Sequence, residues 1–562
     1  MSDTTGLLGR ARAWHDQDPD DETRAELTEL IAAAEAKDHT AIAELHSRFD
    51  TRLTFGTAGL RGEIAAGSAR MNRVLVAQAA AGFAAFLLER DEHPSVVIGY
   101  DGRKNSHVFA TDTAELMAGA GIRAILLPRM MPTPVLAFAV RHFDVSAGVM
   151  VTASHNPPND NGYKVYLGGE HGGSQIVSPA DSQIEQHILE VAAGRTVLEL
   201  PRSLDYEIAD EQVVDEYVRR TVELAPAHPA PLSFVYTAMH GVGSEIARRV
   251  FADAGFAAPT VVAEQDQPDA AFPTVAFPNP EEPGALDLAY ETATRTGADL
   301  IIANDPDADR LAVAVPSTTA DGGWRRLSGN EIGWLLGWRA AERLTASDRD
   351  GTLATSIVSS PALREIARKS NLDYVDTLTG FKWVSRAGGL AYGYEEALGY
   401  LVDPDKVRDK DGISAALDFL GLMSDLAAEG LTLDDRLLAF AEKFGAYASS
   451  QISVRVTDVG IIARTMSAFR ANPPAQVGSI RVEQIDDFRD GFGPFPASDI
   501  LRMWLVGGSR IIVRPSGTEP KLKIYIDASA TEGDAATRIA EAERLVGELD
   551  AGMRQLLDTL SA

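Results

Sequence analysis

The chain has 562 residues, 45% hydrophobic and 24% charged, with 81 acidic against 52 basic side chains and a formal net charge of −29. This length predicts roughly three to five domains of about 100–200 residues each, and the charge argues against nucleic acid and anionic membranes as partners. The lack of cysteine removes disulfides, thiolate nucleophiles and Cys-ligated zinc or iron–sulfur sites.

The opening residues show no basic region followed by an apolar core. The longest apolar run, 74–88, is interrupted by Gln78 and falls short of the ~20 residues of a membrane span, so a cytoplasmic protein without membrane partners is expected. Residues 22–49 are read as helical, because Leu27, Leu30, Ile31 and Ala34 follow the i, i+3, i+4, i+7 spacing of a packing face. Phe55-Gly56-Thr57-Ala58-Gly59-Leu60-Arg61-Gly62 follows, a glycine-rich loop whose backbone can approach a ligand closely and whose Arg61 can meet an anion.

A βαβα alternation comes next: strand 96–99, helix 106–117, strand 123–127, helix 135–143 and a buried strand 147–151. It predicts a mixed or parallel sheet with helices on both faces. The polar turn 100–106 before the first of these helices suits anion binding. After strand 147–151 stand Thr152-Ala153-Ser154-His155-Asn156-Pro157-Pro158-Asn159-Asp160-Asn161-Gly162-Tyr163-Lys164, where the prolines block a helix and Asn161-Gly162 reads as a tight turn. Ser154 is thereby placed on a short polar loop at the carboxyl end of a buried strand, where open α/β sheets bind ligands. Alone, Ser154-His155 reads as a turn serine beside a surface histidine, and the Gly-x-Ser-x-Gly elbow of a hydrolase is missing. The amphipathic stretch 182–191 and Pro201 end the first domain near residue 200.

A second alternation starts with strand 232–236 and the glycine-rich turn 239–244, where His240 is read as a turn residue. It passes a proline-rich loop, 277–284, and a strand, 300–303, to reach Asn304-Asp305-Pro306-Asp307-Ala308-Asp309-Arg310. Three carboxylates at alternate positions repel one another unless a cation sits among them, and such oxygen density suits a hard divalent ion. An EF-hand is excluded, because Arg310 and Pro316 occupy the places of its glycine and terminal glutamate. A third alternation, with strand 353–358, carries Thr379-Gly380-Phe381-Lys382, the acid pair Glu395-Glu396 and Asp409-Lys410-Asp411-Gly412. The last domain reads as strands 452–456, 479–482, 511–513 and 522–526 with a terminal helix 534–549. Arg514-Pro515-Ser516-Gly517-Thr518 lies between two of these strands and offers a guanidinium, hydroxyls and free amides to a phosphate.

Four of these strings, in this order, closely resemble the signature loops of the α-D-phosphohexomutases, the phosphoglucomutase and phosphomannomutase enzymes. The resemblance spans residues 52–526 and looks nearest to the branch with phosphopentomutase-like and bacterial phosphomannomutase-like members. It implies an α/β fold of three related mixed-sheet domains, 1–205, 206–325 and 326–448, and a C-terminal α+β domain, 449–562, around a central cleft. The implied activity is a phosphosugar mutase working through a phosphoserine and a bisphosphorylated sugar, with glucose 1-phosphate to glucose 6-phosphate expected first and phosphomannomutase or phosphopentomutase as the alternative. By resemblance Ser154 carries the phosphoryl group, with His155, Arg61, Lys164 and Lys410 as its catalytic neighbours. Ser154, Asp305, Asp307 and Asp309 would hold Mg2+. Arg310, Thr379, Gly380, Lys382, Glu395, Glu396, Arg514, Ser516, Gly517, Thr518 and Lys523 would bind substrate, and glucose 1,6-bisphosphate would serve as activator. The expected partners are hexose or pentose phosphates, and the chain is expected to be a monomer or small homo-oligomer. Ala397 replaces the serine of the family's sugar loop and Tyr400 falls where many members have histidine, which bears on the sugar rather than the chemistry. Two other classes remain as alternatives: a phosphatase with an aspartate nucleophile, which Asp305-Pro306-Asp307 after a strand superficially fits, and a non-catalytic sugar-phosphate sensor.

Overall fold

The strand Ala147–Val151 is buried along its whole length because it lies inside a sheet covered on both faces. Its neighbours are Ser95–Tyr100, parallel to it, and Asp160–Leu167, antiparallel. Beyond these lie Arg123–Leu126 and Glu207–Ile208 on one side and Leu60–Glu63 on the other, so the sheet is mixed. Helices Arg73–Leu88, Ser106–Gly119 and Ala180–Gly194 pack their apolar residues on one face. On the other, Gly148 lies under Thr133–His142, where an added Cβ would come within 2.4 Å of Val140. The computed structural model describes residues 2–561 except 57–58, 457–459 and 517–520.

The apolar run 74–88 is a helix buried on nearly all sides. Leu75, Val76, Ala79 and Phe83 face the sheet, while Val74, Ala77 and Ala80 meet the N-terminal helices. No helix among the described residues is long and apolar enough to cross a membrane.

The single helix expected over 22–49 is two, Asp21–Glu35 and His39–Phe49. The break is local chemistry: Lys37 adopts φ 66°, and the Asp38 side chain accepts from the amides of Thr40 and Ala41, capping the second helix. A further helix, Ser2–His15, was not expected from the sequence. Gly6 and Gly9 weaken its propensity, and it is held by packing of Leu7, Ala11 and Trp14.

A second sheet runs Trp324–Arg326, Leu311–Pro316, Leu300–Asn304, Phe234–Thr237, Thr260–Val261. Its central strand, Leu300–Asn304, is wholly buried and pairs antiparallel with Leu311–Pro316, so residues 305–310 form the loop of a hairpin. The chain divides into two compact units, Met1–Leu327 with Gly399–Gly421 and Ser328–Leu398 with Leu422–Ala562. Both of these sheets belong to the first.

The second unit has its own parallel strands, Asp373–Thr377, Thr352–Ser356 and Leu390–Glu395. It also has a fully antiparallel six-stranded sheet that includes Leu501–Leu505, a strand not expected from the sequence. Within this unit the fully buried Arg510 pairs with Asp527 at 2.9 Å and donates to the carbonyl of Ser359. The terminal helix, expected to stop at 549, runs Ala535–Ser561 because Met553 and Leu557 continue its apolar row.

Candidate active site

Ser154 lies in the turn that leaves strand Ala147–Val151, only 3% exposed and with φ 52°, a conformation uncommon for a residue with a side chain. Its amide donates to Thr152 Oγ1 at 2.8 Å and its hydroxyl to Asp305 Oδ2 at 2.8 Å, with His155 Nδ1 at 3.2 Å. The tight turn expected at Asn161-Gly162 is elsewhere. The chain reverses at Pro157–Asp160, where the amide of Asp160 bonds the carbonyl of Pro157. Asn161 and Gly162 lie inside strand Asp160–Leu167. A Cβ on Gly162 would lie 2.6 Å from the carbonyl oxygen of Thr152, so glycine is required there for close strand approach rather than for a turn.

The carboxylates of Asp305, Asp307 and Asp309 are fully buried, and one oxygen of each lies within 4.8 Å of the others. The loop is closed by Asn304, which donates to the carbonyl of Arg310 at 2.6 Å and accepts from the Tyr236 hydroxyl at 2.9 Å. Thr133 fixes Asp307 by its hydroxyl at 2.6 Å and its amide at 2.9 Å. Gly241 presses on Pro306, a Cβ there coming within 2.3 Å of its Cα. The glycine-rich turn thus serves the acidic loop. His240 in that turn holds φ 60° and bonds Thr274.

Cations answer part of the negative charge. Lys164 Nζ lies 2.7 Å from Asp307 Oδ2 and 3.0 Å from Asp309 Oδ2; Lys410 Nζ lies 3.2 Å from Asp309 Oδ2. Arg310 approaches Asp305 and Asp309 at 4.0 and 3.9 Å. Burial, then repulsion from Asp307 and Asp309, pushes the Asp305 carboxyl well above the ordinary range. Burial would do the same to Asp307, but the ammonium of Lys164 holds it below that range. His155, edge-on to Phe277, is driven well below the usual imidazole range by burial and by Arg310 and Arg61, so it is neutral.

The residues fit a divalent cation. Asp307 Oδ1 and Asp309 Oδ1 are buried acceptors with no donor among the described residues, a costly state that a hard cation relieves.

Models of phosphoglucomutase/phosphomannomutase α/β/α domains I, II and III match residues 52–195, 215–318 and 328–444, and that of the C-terminal domain matches 469–546. The chain belongs to the phosphoglucomutase/phosphomannomutase family. It is 55% identical over 487 residues to a "Probable phosphomannomutase" of Haemophilus influenzae, covering 87% of this chain and 98% of that one. To a "Probable phosphoribomutase" of Schizosaccharomyces pombe it is 35% identical, covering 92% of each. A crystal structure of a phosphoglucomutase/phosphomannomutase family protein from Burkholderia thailandensis superposes with a TM-score of 0.66 at 21% identity, covering 90% and 98% of the two chains, and supports the fold. The protein is an enzyme of the phosphosugar mutase class, and its four α/β domains are those of the family.

The first unit of the mutase brings together the predicted Ser154, His155, Lys164, Asp305, Asp307, Asp309, Arg310 and Lys410. Arg61, on strand Leu60–Glu63, donates to Asn156 Oδ1 at 3.1 Å, beside the Ser154 turn. The second unit carries the remaining predicted residues. Glu396 accepts from the hydroxyls of Ser359 and Ser356 at 3.1 and 3.2 Å, and Glu395 ends strand Leu390–Glu395. Thr379 and Gly380, with φ 108° at the glycine, lead into the short helix Phe381–Val384 that contains Lys382. Arg514 and Lys523 are register partners on adjacent strands, and the amide of Ser516 bonds the Lys521 carbonyl at 2.8 Å. Gly517 and Thr518 lie outside the described residues.

Sequence reading missed three supports. Asp409 accepts from Tyr166 at 2.8 Å and Gln175 at 2.7 Å, which sets the backbone from which Lys410 reaches Asp309. Lys406, fully buried, bonds Asp411 at 2.9 Å, Thr221 at 2.6 Å and Ser414 in the same segment.

The third is Arg103. The polar turn 100–106 was read as an anion-binding helix start, but the helix cap Asn105 makes no side-chain cap bond, and Arg103 is spent on the protein itself. Its guanidinium donates to the carbonyls of Ser154 and Asn156 at 2.6 Å, Pro157 at 2.8 Å and Asp160 at 3.1 Å. Asp101 backs it at 3.6 Å. Arg103→Met should cost about 3–5 kcal/mol by leaving a buried carboxylate uncompensated and should lower turnover with it. The denaturant midpoint and kcat check this; an unchanged midpoint would contradict it.

Proposed function

We propose that the mutase passes a phosphoryl group from phospho-Ser154 to a hydroxyl of a hexose monophosphate, and that mannose phosphates are its preferred substrates. The hydrogen bond from Ser154 Oγ to Asp305, with lysines gathered at the same carboxylates, carries the chemical reading. It favours a serine rather than an aspartate as the phosphoryl carrier, because Asp305 is fully buried and engaged by Ser154 and by the amide of Arg310.

In this reading the Oγ–P bond breaks as the sugar oxygen bonds phosphorus, the hydroxyl gives up its proton and Ser154 Oγ regains one, and the transfer calls mainly for positioning and neutralisation of charge. Arg61, Lys164 and Arg310 face the transferring oxygens, and Lys410 lies near the reacting hydroxyl. Mg2+ held by Ser154, Asp305, Asp307 and Asp309 would supply charge neutralisation at the phosphoryl group. Glu395, Glu396, Thr379, Gly380 and Lys382 bind the sugar. Arg514, Ser516, Gly517, Thr518 and Lys523 grip the phosphate that is not being transferred, where a bidentate guanidinium contact suits a dianion. The bisphosphate intermediate then turns, and its other phosphate restores phospho-Ser154, so a sugar bisphosphate such as glucose 1,6-bisphosphate primes the enzyme. We read it as cytoplasmic.

The glucose expectation has less support than its alternative, since the 55% identical relative is named for mannose. A pentose is the second reading, from the 35% identical phosphoribomutase. In a panel of mannose, glucose and ribose 1-phosphates with the bisphosphate present, mannose 1-phosphate should lead in kcat/KM. The expected margin is about tenfold, the worth of about 1.4 kcal/mol in differential contacts. A lead for ribose 1-phosphate establishes the pentose reading; a lead for glucose 1-phosphate restores the first expectation.

A further inference from the structure

The matched family models begin at residue 52, so the helices Ser2–His15, Asp21–Glu35 and His39–Phe49 stand before them. We propose that these helices are a brace that positions the Ser154 loop, and that Glu26 and Arg48 are its positioning residues.

Four observations carry this. First, Glu26 and Arg48 close on the chain just after the strand of Arg61. Glu26 Oε2 accepts from the amide of Ala66 at 3.1 Å, and Oε1 pairs with Arg48 Nη2 at 2.8 Å. Arg48 Nη1 reaches the Ala66 carbonyl at 3.4 Å while its Nε holds Glu44 at 2.7 Å. Second, the Arg48 carbonyl accepts from the amide of Ala69 at 3.0 Å, so both ends of Arg48 hold 66–69. Gly67 has φ 120°, and a Cβ there would lie 2.8 Å from Arg48 Cβ, so the approach admits no side chain.

Third, the strand and the residue just before the segment so held touch the Ser154 loop. The amide of Ile64 donates to the carbonyl of Asn159 at 2.8 Å, and strand Leu60–Glu63 is in register with 160–163. Fourth, Glu22, one turn before Glu26, pairs with Lys104, the neighbour of Arg103, whose guanidinium holds the Ser154 carbonyl. A cavity of about 200 Å³ is lined by Glu22, Thr23, Glu26, Ile64, Lys104 and Asn105. These polar bonds therefore bridge the seam beside that cavity, next to the close packing of Ala66 and Gly67 on the helices. Misplacement of a reacting group by about 1 Å can cost on the order of 100-fold in rate, so a brace far from the phosphorus can still govern turnover.

The inference rests on the reading of Ser154 as phosphoryl carrier. The full chain is made as wild type, Glu26→Ala, Glu26→Gln and Arg48→Ala. Each is followed by melting temperature, by the rate of Ser154 phosphorylation from glucose 1,6-bisphosphate in intact-mass spectra, and by kcat and KM. The alanine variants should fold yet lose about tenfold in both phosphorylation rate and kcat, with KM within about twofold of wild type. Glu26→Gln should regain most of the loss, because its amide oxygen still accepts from Ala66. Should Arg48→Ala fail to fold, the two Glu26 variants decide by the same criteria. Folded variants with wild-type rates, or losses that vanish once normalised to folded protein, overturn the brace. A wild type that takes up no phosphoryl group on Ser154 overturns the reading beneath it instead.

Discussion

Ser154→Ala is expected to fold normally and to turn over no sugar phosphate. The backbone of the loop is held without the Ser154 side chain, by Thr152 Oγ1 at its amide and Arg103 at its carbonyl. Stability should therefore fall by about 1.5–3 kcal/mol, chiefly from the lost hydrogen bond to the buried carboxylate of Asp305. Turnover should fall on the order of 10⁴-fold or more, since the proposed covalent carrier is gone. Intact-mass spectra should show a phosphorylated fraction in wild type that resists hydroxylamine, and none in the variant. An active alanine enzyme, or a phosphate released by hydroxylamine, would move the carrier to a carboxylate.

Removing the metal, or the charge that holds it, should act almost as strongly. Chelator treatment should cut turnover at least about 100-fold, with recovery on adding magnesium. Asp305→Asn should show the same loss without recovery. Its stability should change in the opposite sense, and the sign follows from the site. Three buried carboxylates share the loop, and Asp305 is the one pushed up by burial and by its two neighbours. An ionised Asp305 is therefore unfavourable in the folded metal-free protein at neutral pH, and neutral asparagine relieves it while still accepting from Ser154. Metal-free Asp305→Asn should melt at a higher temperature than metal-free wild type. With magnesium the order should reverse, because only the wild type gains the full binding energy. Melting curves without and with magnesium read this directly, and a wild type that is the more stable in both would show that the loop is not a cation site.

The residues proposed to bind the sugar illustrate a different kind of legibility. Glu395 and Glu396 stood out as an acid pair at a strand end, and the structure shows two serine hydroxyls on Glu396. Those serines, 37 and 40 residues away in the chain, carry no local sign of that role. The helix break at Lys37 and the missed helix Ser2–His15 were errors of the same origin. Propensity and periodicity are weak priors that a cap or a packed face overrides.

By itself the sequence determined the alternation that makes α/β layers, the Ser154 loop after the strand ending at Val151, and the acidic loop after the strand ending at Asn304. These are legible because each depends on residues adjacent in the chain: a buried strand, its end, and the polar groups that follow. Tertiary structure alone decided which cation meets which anion. Lys164 reaches Asp307 across 143 residues of sequence and Asp309 across 145, while Arg103 turns from a presumed anion site to the carbonyls of a loop 51 residues on. It also set Asn161-Gly162 into a strand instead of a turn, because the Thr152 carbonyl comes too close for any side chain. Electrostatic partners and close approaches are properties of distance in space, and chain neighbours do not encode them.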